Sequence, residues 1–189
     1  TNFQDALTDY LKLPEDIAWA RCGLDASGIK IRSNNWFKIS LLTNTGATKL
    51  RGHMIQKMSE DFANDFSFAE DSIVTANGDW FISLKTHNDV FSTSLWKMTP
   101  QLRASGTYGL SGVDAEYWQN GFSKAREWLQ SYPYNRLRLR QKYEAIVDFW
   151  PWGNGNLHEF KNDLDYSAIF SDNCVVRGVG KASGISFFP

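Results

Sequence analysis

The apolar positions near the start of the chain recur at helical spacing. Between Phe3 and Leu11 they follow the i, i+3, i+4, i+7 pattern of one helix face. Pro14 ends this helix and can occupy the first position of a second, short helix that stops before Gly23. The pattern therefore predicts an N-terminal helical segment over residues 1–23 that docks on the core of the protein.

Two segments have the pattern of β-hairpins. Segment 29–42 has alternating residues, an Asn-Asn pair and an apolar return strand, and segment 72–85 has two β-rich runs around Asn77-Gly78. Asn and Gly adopt the left-handed backbone conformation that two-residue hairpin turns require. Strands joined by such short turns pair antiparallel, which favours an antiparallel sheet.

Two longer segments have the spacing of amphipathic helices. The first covers 47–66, and the second ends at Pro133, which cannot continue a helix. Their apolar ridges are Leu50, Met54, Met58 and Phe62 in the first, and Trp118, Phe122, Ala125, Leu129 and Tyr132 in the second. We expect both helices to pack on the sheet.

The remaining segments read as strands and loops. No linker or repeat divides the chain, so we predict one α+β domain over 1–189, with an antiparallel sheet built from hairpins and two long amphipathic helices packed on it. Further strands are expected at 90–98, 136–143, 167–170, 174–179 and 184–188, with glycine-rich or turn-forming connections at 103–112 and 149–160.

Basic residues occupy every second position of the predicted strand at 136–143. Arg136, Arg138, Arg140 and Lys142 would lie on one sheet face, about 6–7 Å apart, which is near the phosphate spacing of an extended single strand. Arginine also offers paired donors to phosphate. The alternatives are a protein-binding face or a solvated strand face whose charges discourage edge pairing.

The second unusual segment is the sequence FWPWGNGN at 149–156. Pro151 restricts the backbone between Trp150 and Trp152, and the small residues that follow cannot cover two indole rings. Trp and Arg are enriched in interface hot spots, so we expect at least one of these rings to contact another chain or a ligand. A role in the core and a role as a platform for stacking bases or sugars are the alternatives.

Composition narrows the class of protein without naming a function. The chain is 42% apolar, contains eight Trp and has a formal net charge of −1, which argues against nonspecific coating of nucleic acid or anionic membranes. Two cysteines, Cys22 and Cys174, form no disulfide framework. Neither a signal peptide nor a membrane span is visible, so a cytoplasmic or virion-associated location is expected.

Catalytic signatures are sparse. The sequence has no P-loop, no GxSxG elbow and no HExxH motif, and it predicts neither a metal site nor a cofactor. His158 and Glu159, followed by Asp163 and Asp165, form one His-plus-carboxylate group on a predicted loop. Such a group can perform acid–base work, so His158 and Glu159 are weak catalytic candidates beside a simpler role on a solvated loop.

We therefore predict a non-enzymatic subunit of a larger assembly, of the virion, tail or secretion type, that acts through protein–protein contacts or self-association. The alternative is an RNA- or DNA-binding protein, nucleases included, that uses the basic strand face near His158. The Arg-rich segment followed by strands around a Gly-rich turn resembles, in outline only, the ferredoxin-like RNA-processing nucleases of CRISPR systems. None of the motif residues of those nucleases is matched.

Overall fold

The computed structural model describes residues 3–29, 35–66, 73–76, 78–156 and 168–188. Its elements in chain order are α1 (Phe3–Leu11), α2 (Trp19–Ala26), β1 (Trp36–Leu42), β2 (Ala47–Thr48), α3 (Gly52–Asp65), β3 (Ile73–Ala76), β4 (Asp79–Ser83), α4 (Pro100–Ala104), α5 (Ala115–Ser131), α6 (Pro133–Arg140), β5 (Asp148–Trp152), β6 (Ala168–Phe170), α7 (Cys174–Ala182) and β7 (Ser186–Phe188).

The predicted α+β class is confirmed by a five-stranded antiparallel sheet with helices on both faces. β1 is its centre, because β2, β4 and β5 all pair with it, and β3 extends the sheet beyond β4. The hairpin predicted around Asn77-Gly78 is confirmed by the pairing of Ala76 with Asp79. The first strand of the hairpin predicted at 29–42 falls largely on 30–34, outside the described residues.

Successive side chains of each strand lie on opposite faces of the sheet, so the core is divided into two clusters, one on each face. On one face, Phe37, Trp80 and Phe149 pack against apolar residues of α3 and α5, including Phe62 and Phe122. The opposite face packs against α1, α2 and α7, with contacts from Leu7, Leu11, Trp19, Val175 and Val179. The helices of the N-terminal segment thus lie against the sheet. No helix in the described parts of the chain is long and apolar enough to cross a membrane.

The basic segment is a helix, so the strand predicted at 136–143 is wrong. Pro133 occupies the first turn of α6, where the missing N–H is no loss, and its fixed φ favours helix. Leu139 is 60% exposed whereas Arg138 is 7% exposed, the reverse of what the strand requires. The basic strand face, on which the nucleic-acid alternative rests, is therefore not formed.

The Trp-Pro-Trp segment is also different from the prediction. Residues 148–152 are strand β5 rather than a loop, and they pair with Lys38–Leu42 of β1. Proline is tolerated here because β5 pairs with β1 and with no other described strand, so one side of β5 needs no N–H donor. Proline and small residues suggested a loop, but pairing with the central strand decides the structure.

The C-terminal region contains a helix where a strand was predicted. Residues 174–182 form α7, whose cap is the Asn173 side chain accepting from the N–H of Val175 at 3.0 Å. β6 and β7 on either side of it pair parallel, as a strand–helix–strand unit allows. Gly178 permits α7 to touch α2, because a Cβ at this position would collide with the carbonyl of Cys22. The valines favoured a strand by propensity, and packing overrode that preference.

The strand predicted at 90–98 is likewise not formed. Phe91 makes one isolated bridge to Ser111, and Leu95–Lys97 is a single turn of 3₁₀ helix. This segment lies across the end of the sheet, where its backbone carbonyls accept hydrogen bonds from side chains of the core, such as the one from Trp150 to Thr93.

Candidate functional site

One edge of the central strand changes partner part-way along its length. On this edge β4 pairs with residues 36–39 of β1 and β2 pairs with residues 41–42, while β5 covers the opposite edge. Ser40 therefore lies at a gap between β4 and β2. A cavity of about 260 Å³ lies beside this gap, and Ser40, Lys49 and Asp79 are among the residues that line it.

Three polar residues lie on the sheet face that borders this cavity. Lys38 and Ser40 alternate with apolar residues in β1, and Asp79 begins β4. All three are less than 9% exposed, although the face around them is made of apolar residues such as Phe81 and Trp150. Burying charged groups costs several kcal/mol, roughly, unless they are paired. Such a cluster on a buried sheet face calls for a functional explanation.

The charges of the cluster are paired around Asp79. Its Oδ1 lies 3.0 Å from Nζ of Lys38 and 3.8 Å from Nζ of Lys49, and its Oδ2 accepts from Sγ of Cys174 at 3.2 Å. Burial alone would raise the pKa of Asp79, but the two ammonium groups and the hydrogen bonds hold its pKa below the usual value. Asp79 is thus an anion held between two cations.

The two cysteines are buried, free thiols. Burial, reinforced by the charge of Asp79, raises the pKa of Cys174 to about 12, and burial with the charge of Asp25 raises the pKa of Cys22 to about 11. A thiol is a weak nucleophile until it ionises. Cys174 therefore serves as a hydrogen-bond donor to Asp79 near neutral pH.

Indole rings form much of the cavity wall. Trp96 lies edge-on between Trp19 and Trp152, with ring centroids 5.1 and 5.2 Å away. Nζ of Lys38 lies 5.6 Å from the centre of the Trp152 ring, within the range of a cation–π interaction. Two of the indoles that line the cavity, Trp80 and Trp96, have a buried Nε1 with no hydrogen-bond partner among the described residues.

Trp150 and Trp152, of which at least one is predicted to contact another chain or a ligand, both lie in the core. Trp150 is 1% exposed and donates to the carbonyl of Thr93 at 2.9 Å. Trp152 is 4% exposed and donates to Oγ of Ser40 at 2.9 Å. Both rings are thus placed as in the core alternative, and contact of at least one of them with another chain or a ligand stays a prediction. A ligand contact remains a prediction for Trp152, because its ring lines the cavity.

The three arginines predicted to act together do not share a surface. Nε of Arg138 donates to the carbonyl of Glu144 at 2.8 Å, and its guanidinium lies 5.7 Å from the centre of the Tyr143 ring. Arg136 and Arg140 are exposed on α6, on a different side of the helix from Arg138. Partner binding by Arg136 and Arg140 stays a prediction, whereas Arg138 has a structural role.

The weak catalytic candidates, His158 and Glu159, lie outside the described residues.

Sequence reasoning did not single out Lys38, Asp79 or the cavity. A signal was present, because Lys38 and Ser40 interrupt a seven-residue strand that is otherwise apolar on both faces. Asp79 directly follows a hairpin turn, where an acidic residue is ordinary. Within the described ranges, no three His, Cys, Asp or Glu side chains are placed to hold a metal ion.

Comparison with known proteins yields likeness of fold only. No known family and no curated protein matches the sequence. Among solved structures, the whole chain aligns with the PH0037 protein from Pyrococcus horikoshii at TM-score 0.50 and 13% identity, covering 47% of that protein. It also aligns with a cofactor-independent phosphoglycerate mutase from Thermoplasma acidophilum at TM-score 0.44 and 10% identity, covering 57% of that chain. The chain thus spans about half the length of these structures.

Proposed function

We propose that the protein binds a small organic anion with a flat, apolar ring in the cavity beside Ser40. The observation that carries this proposal is Lys38, a buried ammonium group that lies 5.6 Å from the centre of the Trp152 ring and lines the cavity. A buried lysine that served only stability would be hard to justify, because an apolar pair in place of Lys38 and Asp79 would often be as stable. Binding of a ligand in the cavity beside the pair explains why these two charged residues are buried there.

The charges around the cavity favour an anion. Among the described residues that line it, Lys38 and Lys49 are the cations and Asp79 is the anion, which leaves one positive charge. The first turn of α7, from Asn173 to Val176, also lines the cavity, and the N-terminal end of a helix attracts negative charge. A carboxylate could therefore accept hydrogen bonds from the ammonium of Lys38 beyond the one that Asp79 accepts.

The size and chemistry of the walls favour a flat ring. An engineered apolar cavity of about 150 Å³ is known to hold benzene, so about 260 Å³ accommodates one or two fused rings with a small substituent. The indoles offer their faces and edges to such a ring. An acceptor atom on the ligand could satisfy the unpaired Nε1 of Trp96, which packs on the same sheet face as Trp152.

The contacts within the cluster favour binding over covalent catalysis. The ammonium of Lys38 is paired with a carboxylate 3.0 Å away and has no lone pair with which to attack a substrate. The thiol of Cys174 is neutral near pH 7, since its pKa is raised to about 12. Neither group is activated as an enzymatic nucleophile would be.

The proposal is tested by titrating the chain with charge-matched ring compounds while following Trp fluorescence. We expect benzoate and 2-naphthoate to bind and to quench the signal, and neutral benzamide and cationic benzylamine to bind at least about tenfold more weakly. Lys49→Met should weaken benzoate binding without unfolding the protein, because the Lys49 side chain is 66% exposed. Lys124→Met, an exposed change away from the cavity, is the matched control. Equal affinity for the three charge types would contradict the proposal.

An assembly subunit, the function expected from the sequence, remains our second proposal. It is favoured by three exposed apolar side chains around the end of α6, namely Leu137, Leu139 and Tyr143, which are 44%, 60% and 61% exposed. Exposed apolar surface is a feature of many protein contacts. Sedimentation of the purified chain at about 100 µM tests it, since a contact of micromolar affinity would then be largely formed. A sharp monomer with no partner in a pull-down would count against this proposal.

A further inference from the structure

Among the described residues, a second concave surface shares no lining residue with the cavity. It is a groove of about 920 Å³, bordered by α4, α5 and α6, by the turn at 44–46, and by the segment 145–148 that leads into β5. Its apolar lining residues include Met98 and Leu139, together with Leu129 and Ile146, which are almost wholly buried. The groove has the size of a typical small-molecule site, which is about 300–1,000 Å³.

Three arginines from three different helices line this groove. Arg103 comes from α4, Arg126 from α5 and Arg136 from α6. Arg103 lies 23 positions before Arg126, and Arg126 lies 10 positions before Arg136, so the packing of the three helices brings them to one groove. Nη2 of Arg103 donates to the carbonyl of Thr43 at 2.6 Å, which orients the guanidinium and leaves its other N–H groups for a ligand.

Asp148 is the one acidic residue among the described residues that line the groove. It compensates little of the positive charge of the three arginines. It is 4% exposed, and its Oδ1 accepts from the N–H of Phe149 at 2.9 Å. Its contact with Nε of Arg126 is loose, at 3.8 Å, and the Arg126 side chain is 54% exposed. Burial raises the pKa of Asp148 even though Arg126 and Arg103 lower it. At least two positive charges therefore remain uncompensated in the groove.

We infer that this groove binds a small phosphate-bearing molecule, whose phosphate is held by the guanidinium groups of Arg103, Arg126 and Arg136. Arginine presents planar pairs of N–H donors that match phosphate oxygens, and three of them suit a group carrying more than one negative charge. The apolar part of the ligand would lie along Met98 and Leu139. This site is separate from the Lys38 cavity and holds a different class of ligand.

Calorimetric titration of the full chain with inorganic pyrophosphate and with ADP tests the inference. Both probes should bind, and Arg126→Gln and Arg136→Gln should each weaken ADP binding about tenfold, because each removes charge-assisted hydrogen bonds. Arg140→Gln is the matched control, since it lies on α6, loses the same charge and does not line the groove. It should change the affinity less than about twofold. Lys49→Met should leave ADP binding unchanged, which separates this site from the cavity.

Three outcomes would overturn the inference. The first is the absence of binding of either probe by the unmodified chain below about 1 mM. The second is an equal loss of affinity in Arg140→Gln and in the two groove variants, which would indicate attraction by overall charge. The third is binding of a short oligothymidylate about a hundredfold more tightly than ADP, with the loss again at Arg126 and Arg136, since the groove would then serve single-stranded nucleic acid. Thermal melts of every variant establish that each one is folded.

Discussion

Replacing Lys38 by Met should expose how strongly the buried cluster depends on its cation. Methionine keeps an unbranched side chain of similar length, so packing against the Trp152 ring is largely retained. The carboxylate of Asp79, which is 5% exposed, would lose the ammonium that lies 3.0 Å away. Lys49 would remain at 3.8 Å, but its side chain is 66% exposed and its charge is screened by water.

The magnitude follows from the geometry of the pair. Two unit charges 3.0 Å apart attract each other by about 5.5 kcal/mol at an effective dielectric constant of about 20. Removing one member of a buried pair typically costs about 3–5 kcal/mol, because the other charge stays buried. Lys49 compensates in part, so we expect Lys38→Met to lower the free energy of unfolding by about 3 kcal/mol.

Removing both charges should cost much less than removing one. In the double variant Lys38→Met/Asp79→Leu no carboxylate is left in the cluster, and we expect the free energy of unfolding to lie within about 1 kcal/mol of the unmodified value. The difference between the single and double variants measures the coupling of the pair. Urea unfolding followed by Trp fluorescence gives both values.

The free energy of unfolding should depend on pH in opposite directions in the unmodified chain and in Lys38→Met. In the unmodified chain the pKa of Asp79 is lowered, so its contribution to stability is present above the unfolded pKa of about 3.9 and is lost as the pH falls through the lower folded value. In Lys38→Met burial dominates and the pKa of Asp79 rises, so the variant gains stability as the pH falls from about 7 toward about 4. A variant as stable as the unmodified chain near pH 7, or one with the same pH profile, would refute this reasoning.

Three further predictions concern residues outside this pair. Arg138→Gln should lower the free energy of unfolding by about 1–3 kcal/mol, because the carbonyl of Glu144 loses its donor, whereas the exposed control Arg140→Gln should change it by less than about 0.5 kcal/mol in urea titrations. Trp150→Ala should lower the free energy of unfolding by about 3–5 kcal/mol in the same assay, because the buried ring is lost. A small decrease together with the loss of a partner contact would instead support a role of Trp150 in partner binding. Cys22 and Cys174 should react with a thiol reagent near pH 8 at the rate of unfolding, and rapid modification of the folded protein would show that the thiols are accessible.

Local sequence signals determined much of the secondary structure. The Asn77-Gly78 turn predicted a two-residue hairpin because few other residue pairs adopt that backbone conformation, and this hairpin is present. Apolar residues at helical spacing correctly marked the buried faces of α3 and α5, whereas in α1 only Leu7 and Leu11 are buried and Phe3 and Tyr10 are exposed. Such signals are reliable when a segment has one buried face, because the period of the side chains then reports the backbone conformation directly.

The sequence misled where a segment is buried on both sides or begins at a proline. β5 is buried along its whole length, so its period cannot distinguish a strand from a helix, and in α7 the valines favoured a strand by propensity. In α6 the alternation of Arg and Leu imitated a strand, although Pro133 starts a helix there. Contacts remote in sequence decided these segments, such as the pairing of β5 with β1 and the close approach of Gly178 to Cys22.

Both candidate sites were decided by tertiary structure alone. Lys38 and Asp79 are 41 positions apart in the chain and meet because β1 and β4 pair as neighbouring strands. Arg103, Arg126 and Arg136 line one groove because α4, α5 and α6 border it together. A sequence shows which residues carry charge, but the desolvation and the proximity that give those charges a function depend on how the elements pack.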